Sequence, residues 1–151
     1  RSPWKAIAPW AQLLADQVAL DQPAQNVAVF IHDPASGALR LVGQVLGAGE
    51  DTGEVVVGEW LVPLQGSVCG RVFRTGEAAL CADVRLDPDH LSFPGIETRS
   101  SLTVPLGTAD AIVGVVTVQA PWVSGFSIAD YERLTDLASA AMAHIPTALA
   151  G

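Results

Sequence analysis

Basic residues are scarce in this chain. Eight Lys and Arg stand against sixteen Asp and Glu in 151 residues, giving a formal net charge of -8. Cationic contacts to phosphate dominate nucleic-acid affinity, so this balance excludes the chain by itself from that class of partner. Long hydrophobic runs are missing as well. No stretch approaches the roughly 18 apolar residues of a membrane-spanning helix, and no signal-like segment opens the sequence. The expected setting is cytoplasmic. There are no charge runs or low-complexity tracts, and half of the residues are hydrophobic, which argues against disorder. The two cysteines, Cys69 and Cys81, form no Cys-x-x-Cys and have no His spacing suited to zinc. They read either as buried apolar thiols or as a redox pair. No P-loop, dinucleotide-binding fingerprint or Ser-His-Asp signature is present.

The length predicts one domain, residues 1–151, which buries about 70% of its unfolded surface. The chain opens on Arg1 and not on Met, so it reads as a piece of a longer protein whose output domain lies elsewhere. Ser2-Pro3 resembles an N-cap followed by a proline at the first helical position. Ile7, Trp10, Ala11, Leu14 and Val18 then keep helical spacing, with Pro9 either starting or kinking the helix. Residues 26–32 (Asn-Val-Ala-Val-Phe-Ile-His) read as a buried strand. The turn chemistry of Asp33-Pro34-Ala35-Ser36-Gly37 joins it to a partner strand over 38–46. Residues 47–53 are flexible and acidic, and 55–57 could be strand or loop.

Ser67 is a good N-cap for a two-turn helix over 68–74, with Gly76 as its C-cap. Residues 78–84 read as the next strand. Residues 85–100 hold Pro88, Pro94 and Gly95, too many breakers for regular structure. Strands follow over 102–106 and 112–119, separated by a tight turn at 107–110. Gly114, inside the second of these, implies close approach of another backbone or a ligand. Ser127 and Asp130 give an N-cap signature for a helix whose stripe runs Ile128, Tyr131, Leu134, Ala138, Ala141, Ile145, and which Pro146 stops. Hairpin connections and helices at both ends predict an α+β sandwich.

Several short motifs recur in a fixed order: Gly66-Ser67, Gly76-Glu77, Asp83-Val84, Arg99-Ser100-Ser101-Leu102-Thr103-Val104-Pro105-Leu106 and Gly114-Val115-Val116. Together they resemble a GAF domain, the small-molecule sensor module of signalling proteins. The resemblance spans residues 27–145. It implies a sandwich with an antiparallel sheet of about six strands and the terminal helices on one face. The short helix and loops would cover the other face and enclose a ligand. It also implies homodimerisation through the terminal helices, for which the stripe of Ala138, Ala141 and Ala143 with Leu134, Leu137 and Met142 is suited. Simple packing of that stripe on the sheet is the alternative.

Alternation along the strands separates Leu102 and Val104 from Ser101 and Thr103, and Cys81 and Asp83 from Leu80 and Ala82. The resemblance turns Ser101 and Thr103 toward the ligand. Phe30, Val68, Phe73, Cys81, Phe93, Ser101, Thr103 and Thr117 are the expected lining, forming either an open pocket or a filled core. The loop segment Asp87-Pro88-Asp89-His90 carries metal-competent groups that are more simply read as solvated, and no metal is expected. His90 and Arg99 are candidates to contact an anionic ligand, Arg99 otherwise pairing with Asp83 or Asp87.

The ligand itself stays unknown. The Asn-Lys-x-Phe-x-x-x-Asp-Glu pattern of cyclic-nucleotide GAF domains is absent, and the loop lacks the chromophore cysteine of bilin-binding ones. His32 and His90 are the available axial ligands for a haem, and nothing positions them. Val68-Cys69-Gly70 resembles a segment of free methionine-R-sulfoxide reductases, and a thiolate at a helix N-terminus would be favoured there. The loop thiol of that family is replaced by His90-Leu91-Ser92-Phe93-Pro94. The expectation is a ligand-sensing or dimerising regulatory module and not an enzyme. Its partners are a small molecule, a second copy and an output domain.

Overall fold

The apolar run from Val27 to Ile31 forms the middle of the molecule because it is buried on both sides. The structure is a computed structural model that describes residues 3–22, 25–53, 55–108 and 110–150, the last of these by its backbone. In chain order the elements are α1 (Trp4–Asp21), β1 (Asn26–Asp33), β2 (Ala38–Val45), β3 (Leu61–Pro63), α2 (Val68–Thr75), β4 (Ala79–Cys81), β5 (Ser100–Thr108), β6 (Ala111–Ala120), α3 (Ile128–Met142) and α4 (Thr147–Ala150). A single turn of 3-10 helix, Val84–Leu86, follows β4. The six strands make one antiparallel sheet in the order β3-β2-β1-β6-β5-β4. This is the α+β sandwich expected from the sequence.

Strand alternation assigns each face its own core. Val27, Val29, Ile31, Val104, Val116 and Val118 point to the face covered by α1 and α3. There they meet Ile7, Ala11, Leu14, Val18, Leu134 and Ala138. Phe30, Leu39, Leu41 and Val115 point to the opposite, distal face, which α2 and the loop after β4 cover with Val68, Val72, Phe93 and Ile96. Each of these Val, Leu, Ile and Phe side chains contributes about 1.5–3 kcal/mol when fully buried. The indole Nε1 of Trp10 donates to the carbonyl of Ala141 at 2.8 Å, fastening α1 to α3. The Leu134–Ala138 part of the small-residue stripe is spent on the sheet.

Several boundaries differ from expectation. The Ser2 half of the proposed cap lies outside the described residues. The helix starts at Trp4 with Pro3 in the capping position, and it runs through Pro9 to Asp21. β4 is three residues long where seven were expected (78–84). The Asp83 carboxylate accepts from the Arg85 amide at 3.1 Å and turns the chain into the 3-10 helix. Residues 55–57 form no strand. β5 and β6 extend beyond 102–106 and 112–119 because their hairpin pairs almost to its tip. α3 ends at Met142, earlier than Ile145, and Pro146 precedes a further helical turn. The close approach expected at Gly114 is to protein backbone. A Cβ there would stand 2.0 Å from the carbonyl oxygen of Phe30 on β1.

Candidate functional site

The distal face is built on a polar stripe inside an apolar core. Thr103 of β5 and Thr117 of β6 are directly paired in the sheet register, and their hydroxyls lie 2.7 Å apart, fully buried. Ser101 and Gln119 continue the stripe, and the Gln119 amide oxygen accepts from the Thr98 hydroxyl at 3.2 Å. Hydroxyls on a buried strand face need partners, and here they supply one another while keeping spare lone pairs for a guest.

The roof comes from α2 and the following loop. Ser67 begins α2 as the sequence indicates. Its Oγ accepts from the Gly70 amide at 2.9 Å and donates to the Pro63 carbonyl at 2.5 Å. Gly76 ends the helix in the left-handed conformation, φ 74°. Arg71, one turn into α2, then clasps the loop. Its guanidinium donates to both carboxylate oxygens of Asp87, at 3.0 and 2.9 Å, and to Asp89 at 2.8 Å. The Asp87 carboxylate also receives the Asp89 amide at 2.9 Å and the Cys81 thiol at 3.3 Å. The Arg71 hydrogen bond holds the Asp87 carboxyl well below the usual carboxylate range.

Beyond the clasp the loop turns inward at Phe93. Its ring meets Phe30 edge-on, with centroids 5.8 Å apart at 83°, and meets Trp60 at 6.3 Å and 63°. Phe93 and Ile96 are both 8% exposed. A cavity of about 20 Å³ remains between the sheet stripe and Val68, Cys69, His90, Leu91 and Phe93, room for about one water. A second gap on the far side of Phe93, toward Asn26, Gln44 and Ile96, is too narrow for water. Of the two alternatives carried from the sequence, the structure adopts the filled one, with Phe93 as the filling. The indole Nε1 of Trp60 is buried and finds no hydrogen-bond partner among the described residues.

Of the residues singled out in the sequence, Val68, Cys69, His90, Phe93, Ser101, Thr103 and Thr117 converge on this cavity. Phe30 is its floor. Phe73 lies at one end, stacked on His32 at 4.8 Å. Cys81 stands at the β4 edge, bonded to Asp87. Asp83 and Arg99 are held elsewhere. Asp83 pairs with Arg85 at 2.8 Å and Arg99 with Glu97 at 3.9 Å, so Arg99 makes neither of the expected bridges. Arg71, Trp60 and Gln119 were missed. The spacing of Arg71 to Asp87 and Asp89 across a breaker-rich loop carries no periodic signal, and nothing in the sequence marks Trp60, at the start of a strand-like segment, as reaching the distal core.

Burial dominates the chemistry of the thiols. Cys69 retains some residue surface, but its sulfur is enclosed, and the thiol is pushed up to about 12. That outweighs the helix N-terminus expected to favour its thiolate. Burial and Asp87 together raise Cys81. Burial also lowers His90, leaving a neutral imidazole at pH 7. Asp87 and Asp89 are both engaged with Arg71, and among the described residues no group of three or more His, Cys, Asp or Glu is arranged to hold a metal ion. A roomier depression, about 600 Å³, lies between Trp4, Asp33, Arg40 and Leu149. Its charged groups pair with each other at 2.5 Å and it lacks a converging polar stripe, so the distal chamber is the better-built site.

The sequence pattern of the GAF domain matches residues 11–145. The chain belongs to the GAF domain family. Its fold agrees with the GAF domain from an Acinetobacter phosphoenolpyruvate-protein phosphotransferase, with TM-score 0.72 and 22% identity over 91% of this chain and 82% of that one. It agrees equally with free methionine-R-sulfoxide reductase from Neisseria meningitidis, solved in complex with its substrate, with TM-score 0.72 and 21% identity over 93% and 86%. The type II enzyme of that name from Thermoplasma acidophilum gives TM-score 0.74 and 17% identity over 95% and 96%. No curated protein matches the chain. At these identities the likeness is one of fold, and GAF domains of this shape occur both in signalling proteins and in methionine sulfoxide reductases. The expectation that this GAF domain is not an enzyme is thereby overturned, since the same framework supports catalysis in these neighbours. No helix among the described residues is long and apolar enough to cross a membrane.

Proposed function

We propose that this GAF domain is a regulatory sensor that binds a small molecule on the distal face, between the Ser101–Thr103–Thr117–Gln119 stripe and the roof of α2 and the 85–100 loop. The observation that carries the reading is the convergence of neutral polar side chains on a chamber otherwise walled by apolar ones. Pockets that select small molecules have this make-up. A ligand changes a regulatory equilibrium only through different affinity for two states. The two states proposed are the roof with Phe93 inside and the roof with Phe93 displaced.

The proposal includes a homodimer through the terminal helices, supported by Leu13 and Leu20, which are exposed along α1. It also includes an output domain in a longer protein and a cytoplasmic setting, the latter supported by two cysteines left as free thiols. Native mass spectrometry of gently purified protein tests the proposal. A dimer carrying a defined additional mass is the expected result. A monomer that retains nothing, and gains nothing from a metabolite mixture, contradicts it. Adding methionine sulfoxide and a thiol reductant to the same sample reads any turnover.

A further inference from the structure

We propose that the distal site takes a small uncharged ligand with a flat apolar body and a hydrogen-bond acceptor, and that this ligand enters by displacing the Phe93 ring. This rests on the reading of the distal face as the ligand site and adds to it the ligand's charge and size and the moving part.

Size comes from the two gaps flanking Phe93. Both are bounded by Phe93, Thr117 and Gln119, so the ring is the partition between them. Removing it joins them into one chamber on the order of 100 Å³, room for a guest about the size of the ring that leaves. Phe93 is thus the present occupant of a place of its own shape, held edge-on by Phe30 and Trp60.

Charge comes from the accounting of ionisable groups. No Lys or Arg is among the residues lining either gap. The guanidinium of the roof, Arg71, already has three carboxylate contacts, and Arg99 points to Glu97. An anion would therefore be desolvated without a counter-charge. A cation fares no better, because Asp87 and Asp89 are engaged by Arg71. The groups that do face the guest are hydroxyls, the Gln119 amide and a neutral imidazole. Trp60 adds a buried indole N–H beside Phe93 with no acceptor among the described residues, which a carbonyl on the guest would satisfy.

The moving part is defined by its fastenings. Arg71 fixes the loop at Asp87 and Asp89. Gly95, at φ 77°, presses against Asp51, where a Cβ would lie 1.9 Å from the carbonyl oxygen. Phe93 lies between these two anchors, so the ring can leave while both hold.

Calorimetric titration of Phe93→Ala at pH 7 with benzamide, benzoate and benzylamine tests the proposal, with the Trp60 indole N–H followed by NMR to place the probe. Benzamide is expected to bind and to shift the Trp60 signal. Benzoate and benzylamine should bind at least about tenfold more weakly, and wild-type protein should bind benzamide at least about tenfold more weakly than the variant. Equal or tighter binding of either charged probe overturns the ligand class and leaves the site standing. Equal affinity of wild type and variant for benzamide overturns the displacement. Failure of all three probes to bind both Phe93→Ala and the milder Phe93→Leu overturns the distal site itself.

Discussion

Arg71 grips Asp87 with both arms of its guanidinium, Nη1 to Oδ1 at 3.0 Å and Nη2 to Oδ2 at 2.9 Å, and so joins α2 to the loop that roofs the sheet. The pair is partly shielded, with Arg71 33% and Asp87 13% exposed. It is therefore worth more than an open surface bridge and less than a fully buried one.

Replacing Asp87 by Asn is expected to destabilise the domain by about 1–2 kcal/mol at pH 7. The sign of the pH dependence follows from the shift. The Asp87 pKa is lowered on folding, chiefly by Arg71, so its contribution is complete above the ordinary carboxylate pKa near 3.9 and is lost as pH falls below it. His90, whose pKa burial lowers from 6.5, adds a separate loss in a higher window as pH falls through that value. Thermal unfolding of wild type and Asp87→Asn from pH 7 to 3 should show their difference shrinking only below about pH 4. A difference that stays constant to pH 3 contradicts the clasp.

The Thr103–Thr117 pair predicts strong coupling between two substitutions. Thr103→Val or Thr117→Val alone leaves one buried hydroxyl without its partner and should cost about 1–3 kcal/mol. The double variant removes both and should cost less than the sum by about 1 kcal/mol or more. Urea unfolding of the four proteins measures this, and additive values would show that the hydroxyls do not depend on each other.

Gly95 is expected to tolerate no side chain. Its φ of 77° is strained for alanine, and the new Cβ would meet the Asp51 carbonyl oxygen. Gly95→Ala should lose about 2–3 kcal/mol and raise hydrogen exchange over the 93–98 segment while leaving the β5–β6 amides protected. Stability within about 0.5 kcal/mol of wild type would show that the loop is not seated against Asp51.

Cys69 should react slowly. With its thiol pushed up to about 12, only a minute fraction is thiolate at pH 8, so an aromatic disulfide reagent should label the native protein far more slowly than the urea-unfolded chain. Equal rates would place Cys69 in a different, electropositive environment.

Much of the framework was legible because local signals and tertiary structure agree. Ser67, Gly76 and the Ser127–Asp130 cap mark helix ends through backbone hydrogen bonds that depend only on neighbours, and all are realised. The unbroken apolar runs of β1 and β6 announce strands covered on both faces. Alternation put Ser101 and Thr103 on one face of their strand, and the family resemblance chose the distal side for them. What could not be read was set by long-range placement. Residues 85–100 have no period, so their fold depends on Arg71 finding Asp87 and Asp89, and that side chain, Trp60 and Gln119 went unnoticed. β4 is shorter than its apolar run predicts because the Asp83 carboxylate, placed by alternation on a strand face, instead caps the next turn. The thiol chemistry of Cys69 was misread because burial, which a sequence does not display, outweighs the helix terminus. The expectation of a non-catalytic module failed for a further reason, that one framework serves both sensors and reductases.

In the proposed mechanism Phe93 stands in for the ligand. The most direct measurement is a crystal structure of Phe93→Ala grown with benzamide. The account predicts one benzamide in the joined chamber, its ring in the vacated place beside Phe30 and its carbonyl accepting from the Trp60 indole. A chamber refilled by Leu91 or Phe73, with no benzamide bound, would contradict it.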